Sequence, residues 1–269
     1  MLFKKGRTYY KSNHGRRHIE EPKKLSFACL KQDDYAETKT FIIFIFLMEK
    51  IKHICFDLDG TLIDSYQTIF KTTVKTLQYL NIKEPLLEIE FHKKIGHHFL
   101  HIFHDLNIPV TDIEEFIDIY KGYYFDFIDE SVIYPGVTEV LNKLHSKKIK
   151  ISLLTTKGQD QADKIIDHFR LRKYFSLVMG RRKDLPIKPS PEPLHFICNE
   201  LRVEEAETIM IGDSELDINC GKNAGAASCA VTYGYRSKEL LEVENPDFLI
   251  DEINELLSIV EIAETKSGR

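Results

Sequence analysis

Residues 54–61 read ICFDLDGT, a short apolar run that ends in Asp57 and Asp59 and is followed at once by a glycine. An unbroken apolar run of this length is typical of a strand buried on both faces of a parallel sheet. Carboxylates at the end of such a strand cost free energy unless a cation or hydrogen-bond donors compensate them. The segment therefore predicts a buried strand that delivers two carboxylates to a polar site.

Apolar runs and helical patterns alternate along the rest of the chain. The predicted strands are His53–Phe56, Ile149–Leu154, Phe175–Met179, Thr208–Ile211 and Ser228–Val231. The helical patterns between them are Val137–Ser146, Asp160–Phe169, Pro191–Leu201 and Glu215–Ala224. This alternation predicts an α/β fold, a doubly wound parallel sheet with helices on both faces.

One interval departs from the alternation. Between Ser65 and Tyr134 apolar residues recur about every 3.6 positions, and no strand is predicted there. An interval this long is too large for a loop and predicts an inserted all-helical domain. The predicted domains are therefore a helical cap at 66–133 and an α/β core formed by 48–65 and 134–262.

The first 47 residues differ from the rest in charge and pattern. They carry a net charge of +5, whereas the remainder carries −10. The run Phe41–Met48 is apolar but shorter than the roughly 20 residues that span a bilayer, and no signal-peptide pattern is present. We interpret 1–47 as an extension that is disordered or not part of the working protein, which would begin near Met48. A basic membrane-surface anchor is the alternative.

Cysteine usage and charge limit the partners. The five cysteines are odd in number and form no CxxC pair, which favours a reducing cytoplasm over a disulfide framework or a structural zinc site. The acidic body after residue 47 gives no electrostatic support for nucleic-acid binding. The expected partner is a small molecule rather than nucleic acid or membrane.

Polar residues also stand at the other predicted strand ends. A hydroxyl pair ends the second strand, a lysine between prolines precedes a helix, and two more carboxylates follow the fourth strand. Ligands of open α/β sheets bind beyond the carboxyl ends of the strands, so these side chains are expected to meet there. They are Thr155, Thr156, Lys188, Asp213 and Asp217.

These segments together resemble the four motifs of the haloacid dehalogenase superfamily of phosphohydrolases. FDLDGTLIDS resembles the first motif, LLTTK the second, IKPSPEP the third and MIGDSELDINCGKNAGA the fourth. YPGVTEVLNKL, VTYGY and the insertion are most similar to the phosphoglycolate-phosphatase-like group, whose C1-type helical cap follows the first motif. The resemblance implies a Rossmann-like core with an inserted helical cap.

The resemblance also implies a mechanism and a magnesium ion. Asp57 would be the nucleophile that forms an aspartyl-phosphate, and Asp59 would act first as acid and then as base. Lys188 would offset charge on the phosphate and on Asp57. Mg²⁺ would bind Asp57, the backbone carbonyl of Asp59 and Asp213, and Asp217 would support the metal site through water or Lys188.

Phosphate contacts are implied for Thr155 and for the Gly60-Thr61 turn. Thr156 stands where many members of the group have asparagine, so its contact with substrate is an expectation from position alone.

The cap contributes histidines to the expected site. Gly96-His97-His98 corresponds to a segment that often faces the substrate in related caps, which makes His97 and His98 candidates for binding an anionic group. His97, His101 and His104 share one helical face. A packed or solvated face is the favoured interpretation, and a second metal site is the alternative.

The predicted function is a cytoplasmic, Mg²⁺-dependent phosphatase for a small phosphate monoester, with 2-phosphoglycolate favoured. Inorganic pyrophosphatase and sugar phosphomutase are alternatives on the same scaffold. A non-catalytic binding or regulatory domain is the alternative of another class. The chain is expected to be a monomer or a homodimer.

Overall fold

A parallel β-sheet forms the centre of the structure, a computed structural model that describes residues 51–264. Strands in this part of the chain are β1 (His53–Phe56), β2 (Ile63–Asp64), β3 (Val132–Ile133), β4 (Lys150–Gly158), β5 (Leu177–Arg181), β6 (Thr208–Gly212), β7 (Ala227–Val231) and β8 (Phe248–Ile250). Six of these described strands form one sheet in the order β5-β4-β1-β6-β7-β8, and each neighbouring pair is parallel. The predicted extension, residues 1–47, lies outside the described residues.

Helices surround this sheet. Within residues 51–264 they are α1 (Tyr66–Tyr79), α2 (Glu88–His92), α3 (Phe99–Asp105), α4 (Ile113–Tyr124), α5 (Val137–Ser146), α6 (Gln159–His168), α7 (Glu192–Leu201), α8 (Glu215–Ala224), α9 (Lys238–Val243) and α10 (Glu255–Glu264). Helices α1–α4 follow one another between β2 and β3 and are called the lid below. Among the described residues, no helix is both long enough and apolar enough to cross a bilayer.

The sheet is covered on both faces, as the apolar strands predict. Side chains alternate along β1, so Ile54 and Phe56 join one buried cluster and Cys55 joins another. The first cluster includes residues of α5, α6 and α10, and the second includes residues of α7 and α8. The predicted fold class, a doubly wound parallel sheet with an inserted helical cap, is confirmed.

The lid is held together by an aromatic cluster. Phe103 and Phe116 lie with ring centroids 4.7 Å apart, and Phe99 lies 5.0 Å from Phe116 and 4.9 Å from Tyr120. Edge-to-face arrangements such as these add to the burial of apolar area. The buried lid aromatics belong to the same buried apolar cluster as one face of the sheet, so the lid packs continuously onto the core.

Short strands account for the differences from the sequence prediction. The prediction of no strand between Ser65 and Tyr134 is wrong, because Val132–Ile133 pairs antiparallel with Ile63–Asp64 where the chain leaves and re-enters the core. The sheet also gains β8 at its edge. Strands of two or three residues are too short to produce a readable period. The domain boundaries at 65/66 and 133/134 stay a prediction.

His53 ties the first strand to both of its neighbours. It is fully buried, and its ring nitrogens contact Thr208 Oγ1 at 3.1 Å and Ser152 Oγ at 2.8 Å. Burial, helped by the charge of Lys150, lowers the pKa of His53 to about 4.

We expect His53→Gln to reduce the loss of stability on acidification. Because the folded pKa of His53 lies below the unfolded value near 6.5, the unfolded chain binds the extra proton, and stability is lost as pH falls from about 6.5 towards 4. By pH 5 the linkage amounts to about 2 kcal/mol. Melting temperatures at pH 7.5 and pH 5 should therefore differ less in His53→Gln than in the native chain. An equal difference in both proteins would contradict the role given to His53.

Candidate active site

The polar site lies where β1, β4 and β6 end side by side. Asp57 follows β1, Thr155 stands in the last part of β4, and Asp213 follows β6. Because β1 pairs in parallel with both β4 and β6, these ends meet at one edge of the sheet. The chain also reverses its winding direction here, since β4 and β6 lie on opposite sides of β1.

Lys188 is at the centre of the site. Its Nζ donates to Asp57 Oδ1 at 2.6 Å, to Asp217 Oδ1 at 2.5 Å and to the carbonyl of Leu154 at 3.0 Å. Burial would lower the pKa of Lys188, but the ion pairs with Asp217 and Asp57 outweigh it and raise the pKa above its usual value. Lys188 is thus a permanent buried cation that fixes two carboxylates.

The start of α8 holds the other oxygen of Asp217. Ser214 donates to Asp217 Oδ2 from its backbone nitrogen at 3.2 Å and from its hydroxyl at 2.6 Å, in a capping box. Gly212 leaves the space this requires, since a Cβ there would lie 2.1 Å from Asp217 Cγ. Both oxygens of Asp217 are therefore engaged, one of them by Lys188.

Asp213 lies against two glycines. Its Oδ2 accepts a hydrogen bond from the backbone nitrogen of Tyr235 at 2.7 Å. A Cβ on Gly60 would lie 2.2 Å from Asp213 Oδ2, and one on Gly234 would lie 2.2 Å from Asp213 Cβ. Gly60 also has φ +80°, which L side chains rarely adopt. The glycine of the first motif is thus needed both for its backbone angle and for the space beside Asp213.

The carboxylates of this cluster outnumber its lysine, and the excess favours a cation. Oxygens of Asp57, Asp213 and Asp217 lie within 4.8 Å of one another. Burial raises the pKa of Asp57 to about 7 against the opposing effect of Lys188, and burial with the neighbouring carboxylates raises the pKa of Asp213. From the described residues, Asp57 Oδ2 and Asp213 Oδ1 accept no hydrogen bond. An all-oxygen set with two unused oxygens fits a hard divalent cation such as Mg²⁺.

Asp59 is adjacent to the cluster, but its carboxylate is directed elsewhere. It accepts a hydrogen bond from the Ser65 hydroxyl and pairs with Lys157 Nζ at 3.2 Å. Both members of the pair are about nine-tenths buried, and Lys157 Nζ lies 4.8 Å from the centroid of the Tyr124 ring. The sequence prediction missed Lys157, although it follows Thr155 by only two residues. The predicted metal contact of the Asp59 backbone carbonyl stays a prediction.

The predicted phosphate-binding threonines have different surroundings. Thr155 is buried and its hydroxyl accepts from the Lys157 backbone at 3.3 Å. Thr61 is fully buried, and within residues 51–264 its hydroxyl has no hydrogen-bond partner. Thr156 donates to the carbonyl of Gly96 in the lid at 3.1 Å. Thr156 thus joins the sheet to the lid in this structure.

The predicted lid histidines lie at the contact with the core. His97 Nε2 is 2.8 Å from Glu215 Oε1, and Glu215 Oε2 accepts from Arg236 Nε at 2.9 Å. Burial would raise the pKa of Glu215, but the bonds from His97 and Arg236 outweigh it and lower the pKa to about 2. His98 contacts Arg181 at the end of β5. Among the described residues, the metal-capable cluster contains no histidine, so the alternative of a second metal site in the lid gains no support.

A cavity opens between the lid and the sheet. Its empty volume is about 630 Å³, part of it open to solvent. Asp59 and Lys157 lie on its core side, and His97 and His98 lie on its lid side. The cavity therefore adjoins the buried Asp59–Lys157 pair.

Comparison with known proteins agrees with this geometry. The sequence profile of the haloacid dehalogenase-like hydrolases matches residues 54–231. The chain belongs to this family. The match runs from Ile54 in β1 to Val231 at the end of β7 and includes the lid.

The relatives are phosphohydrolases by name. A phosphoglycolate phosphatase of Vibrio parahaemolyticus is 32% identical over 230 residues, 80% of this chain and 98% of the relative. A pyrophosphatase PpaX of Listeria innocua is 31% identical over 212 residues, 78% of this chain and 97% of the relative. The crystal structure of a predicted phosphoglycolate phosphatase from Haemophilus somnus has a TM-score of 0.70 and 25% identity, covering 78% of this chain and 97% of that protein. The chain is therefore a phosphohydrolase of the phosphoglycolate-phosphatase-like group, and the prediction of an enzyme is confirmed.

Asp213→Asn is expected to stabilise the metal-free protein. The folded pKa of Asp213 is raised above its unfolded value, so the folded chain binds more protons and its stability falls as pH rises through that folded pKa. In EDTA at pH 8, removing this charge should raise the melting temperature by about 2–6 °C, for a gain of about 1–2 kcal/mol. The gain in melting temperature should be smaller at pH 5. Added Mg²⁺ should raise the melting temperature of Asp213→Asn less than that of the native protein.

The matched control is Asp129→Asn, which changes an exposed carboxylate. It should change neither the melting temperature in EDTA nor the rise in melting temperature on adding Mg²⁺. A lower melting temperature for Asp213→Asn in EDTA, together with a full response to Mg²⁺, would contradict the repulsive carboxylate cluster.

Proposed function

We propose that this phosphohydrolase is a Mg²⁺-dependent phosphatase that hydrolyses a small phosphate monoester through an aspartyl-phosphate on Asp57, with 2-phosphoglycolate as the favoured substrate. The observation that carries the proposal is how the two carboxylate oxygens of Asp57 are hydrogen-bonded. Lys188 holds its Oδ1, while Oδ2 accepts no hydrogen bond from the described residues. A buried carboxylate with one oxygen fixed and the other unengaged is suited to act as a nucleophile.

The first half-reaction transfers the phosphoryl group to Asp57. Asp57 Oδ2 attacks phosphorus and the bond from phosphorus to the leaving oxygen breaks. Asp59, in its protonated form, gives its proton to that oxygen; Ser65 holds the carboxyl group in place, and Lys157 pairs with the carboxylate that remains. Lys188 offsets negative charge on the phosphoryl oxygens while the phosphoryl group moves from the leaving oxygen to Asp57.

The second half-reaction releases phosphate. A water molecule loses a proton to Asp59 and attacks phosphorus, and the bond between phosphorus and Asp57 breaks. Thr155 and the Gly60-Thr61 turn would donate hydrogen bonds to the phosphoryl oxygens. The buried Thr61 hydroxyl, which has no partner within the described part of the chain, supports this assignment.

Asp213 would hold Mg²⁺ through its unengaged Oδ1, together with Asp57 Oδ1 and the backbone carbonyl of Asp59, so that Asp57 Oδ2 stays available to attack phosphorus. Asp217 would support the metal site through Lys188 or a water molecule. The ion would supply positive charge that offsets the phosphate and the carboxylates.

Pyrophosphate is the second candidate substrate. The relative named pyrophosphatase PpaX matches 78% of this chain, close to the 80% that the phosphoglycolate phosphatase matches. The residues of the four motifs would bind the metal and the transferred phosphoryl group, and both candidate substrates have such a group. The choice between 2-phosphoglycolate and pyrophosphate therefore depends on the lid cavity. A cytoplasmic location and a monomer or homodimer are part of the same proposal.

Asp57→Asn should abolish turnover without unfolding the protein. An amide cannot form the acyl-phosphate, so kcat for 2-phosphoglycolate and for p-nitrophenyl phosphate should fall by roughly 10⁴-fold or more. EDTA should stop the native enzyme, and Mg²⁺ should restore it.

Asp184→Asn, which changes a surface carboxylate paired with Arg182, is the control and should keep native activity. Metal-dependent activity above about one per cent in Asp57→Asn would rule out covalent catalysis.

A further inference from the structure

Ser65 stands at the start of a helix without capping it. It is the N-cap of α1, at the point where the chain passes from β2 into the lid. A serine in this position usually accepts a hydrogen bond from a backbone nitrogen of the first turn, which stabilises the helix. Ser65 makes no such bond, and its hydroxyl donates to Asp59 Oδ1 instead. The hydroxyl thus holds the carboxyl group of Asp59 and leaves the helix start without a side-chain cap.

The hydroxyl of Tyr235 contacts Ser65 at two atoms. Its oxygen accepts from the Ser65 backbone nitrogen at 2.9 Å and lies 3.3 Å from Ser65 Oγ. Both residues are buried. Burial, together with the charge of Asp59, raises the pKa of Tyr235 well above its ordinary value, so the hydroxyl keeps its proton. Because Ser65 gives its single hydroxyl hydrogen to Asp59, Tyr235 donates its own to Ser65 Oγ.

These contacts give the hydrogen bonds one direction. Tyr235 donates to Ser65, and Ser65 donates to Asp59 Oδ1, which acts as an acceptor. When Asp59 is protonated, its proton is then on Oδ2, the oxygen that pairs with Lys157 Nζ at 3.2 Å. After this proton leaves, the negative charge remains beside Lys157. Without the Tyr235 hydroxyl, the Ser65 side chain is free to turn to the backbone of α1 as an ordinary cap, and Asp59 loses its donor.

Two further contacts hold Tyr235 itself. Its backbone nitrogen donates to Asp213 Oδ2 at 2.7 Å, and its ring lies edge-on to His92 of the lid, with ring centroids 5.4 Å apart. The first contact ties the residue to the carboxylate cluster, and the second ties it to the lid. Neither contact uses the hydroxyl, so Tyr235→Phe removes the bonds to Ser65 and keeps both of the others.

We propose that Tyr235 is a positioning residue for proton transfer, whose hydroxyl holds Ser65 so that Ser65 binds Asp59 Oδ1 and does not cap α1. The inference rests on the proposed phosphatase function and adds to its site a residue outside the four motifs. It accounts for a helix-start serine that does not cap its helix and for a buried tyrosine hydroxyl directed at that serine. The hydroxyl acts through Ser65 and not on the substrate.

Two substrates whose leaving groups differ in basicity test the proposal. The alkoxide of benzyl phosphate needs a proton as it leaves, whereas the p-nitrophenolate of p-nitrophenyl phosphate is a far weaker base and does not. With Mg²⁺ and with enzyme in excess over substrate, release of the leaving group reports the first half-reaction alone. Tyr235→Phe should lower this rate constant about ten- to hundredfold for benzyl phosphate and less than about threefold for p-nitrophenyl phosphate. The enzyme concentration that gives the half-maximal rate should stay within about twofold of native.

Tyr174→Phe is the matched control. Tyr174 is also buried, and its hydroxyl donates to Asn142 Oδ1 on α5 at 3.0 Å, outside the site. This variant should keep both rate constants at their native values. Tyr235→Phe should in addition need the native concentration of Mg²⁺ for half-maximal activity, because the backbone nitrogen of residue 235 still holds Asp213.

A double-variant cycle tests whether Tyr235 acts through Ser65. Ser65→Ala should show the same loss, confined to benzyl phosphate, and Ser65→Thr, which keeps a hydroxyl, should recover most of the rate. Adding Tyr235→Phe to Ser65→Ala should lower the rate constant for benzyl phosphate by no more than about twofold further, since the hydroxyl through which Tyr235 acts is already absent.

Three results would overturn the inference and leave the proposed function standing. The first is a native rate with benzyl phosphate in Tyr235→Phe. The second is an equal loss with both substrates in that variant at a native melting temperature. The third is a double variant in which the two single losses multiply. A native enzyme that releases neither benzyl alcohol nor p-nitrophenol in the presence of Mg²⁺ would overturn both the inference and the proposed function.

Discussion

The structure of the site depends on one buried ion-pair triad, in which Lys188 lies between Asp57 and Asp217. The lysine is nearly inaccessible to water, and two carboxylates together with the Leu154 carbonyl replace its hydration. A buried charge left without its partner costs several kcal/mol, so each carboxylate depends on Lys188. Because these residues come from β1, from the loop before α7 and from α8, the triad also fixes how these elements meet.

The excess negative charge of the site follows from this triad. Lys188 binds one oxygen of Asp57 and one of Asp217, and within residues 51–264 no cation is among the hydrogen-bond partners of the nearby Asp213. The raised pKa values of Asp57 and Asp213 have the same origin in burial and like charge. The sheet edge thus carries an excess of negative charge that suits a divalent cation, and the lid cavity lies beside Asp59.

The sequence was sufficient for the parts of the fold that follow from continuous burial. β1, α5 and α8 have the predicted bounds, because unbroken apolar runs and strong helical periods are local signals. Asp57, Asp213 and Lys188 were also predictable, since the carboxyl ends of parallel strands must meet at one edge. β3 and β8 were not, because two or three residues cannot show a period.

The cavity residues could not be predicted for a different reason. Arg181 lies one position from Arg182, and only the structure shows that Arg181 lines the cavity while Arg182 pairs with a surface aspartate. Similarly, Tyr235 becomes informative only when its hydroxyl is found against Ser65, where the chain enters the lid. Such signals depend on how the lid packs against the core, which no local pattern records.

Chemical trapping of the intermediate tests the central claim most directly. Enzyme in excess over substrate is quenched in acid within the first turnover and reduced with borohydride, which converts an aspartyl-phosphate to homoserine, and the peptides are analysed by mass spectrometry. Phosphoryl transfer to Asp57 predicts homoserine at position 57 and an unmodified Asp59 and Asp213. Homoserine at another aspartate, or none at any position while phosphate is released, would contradict it.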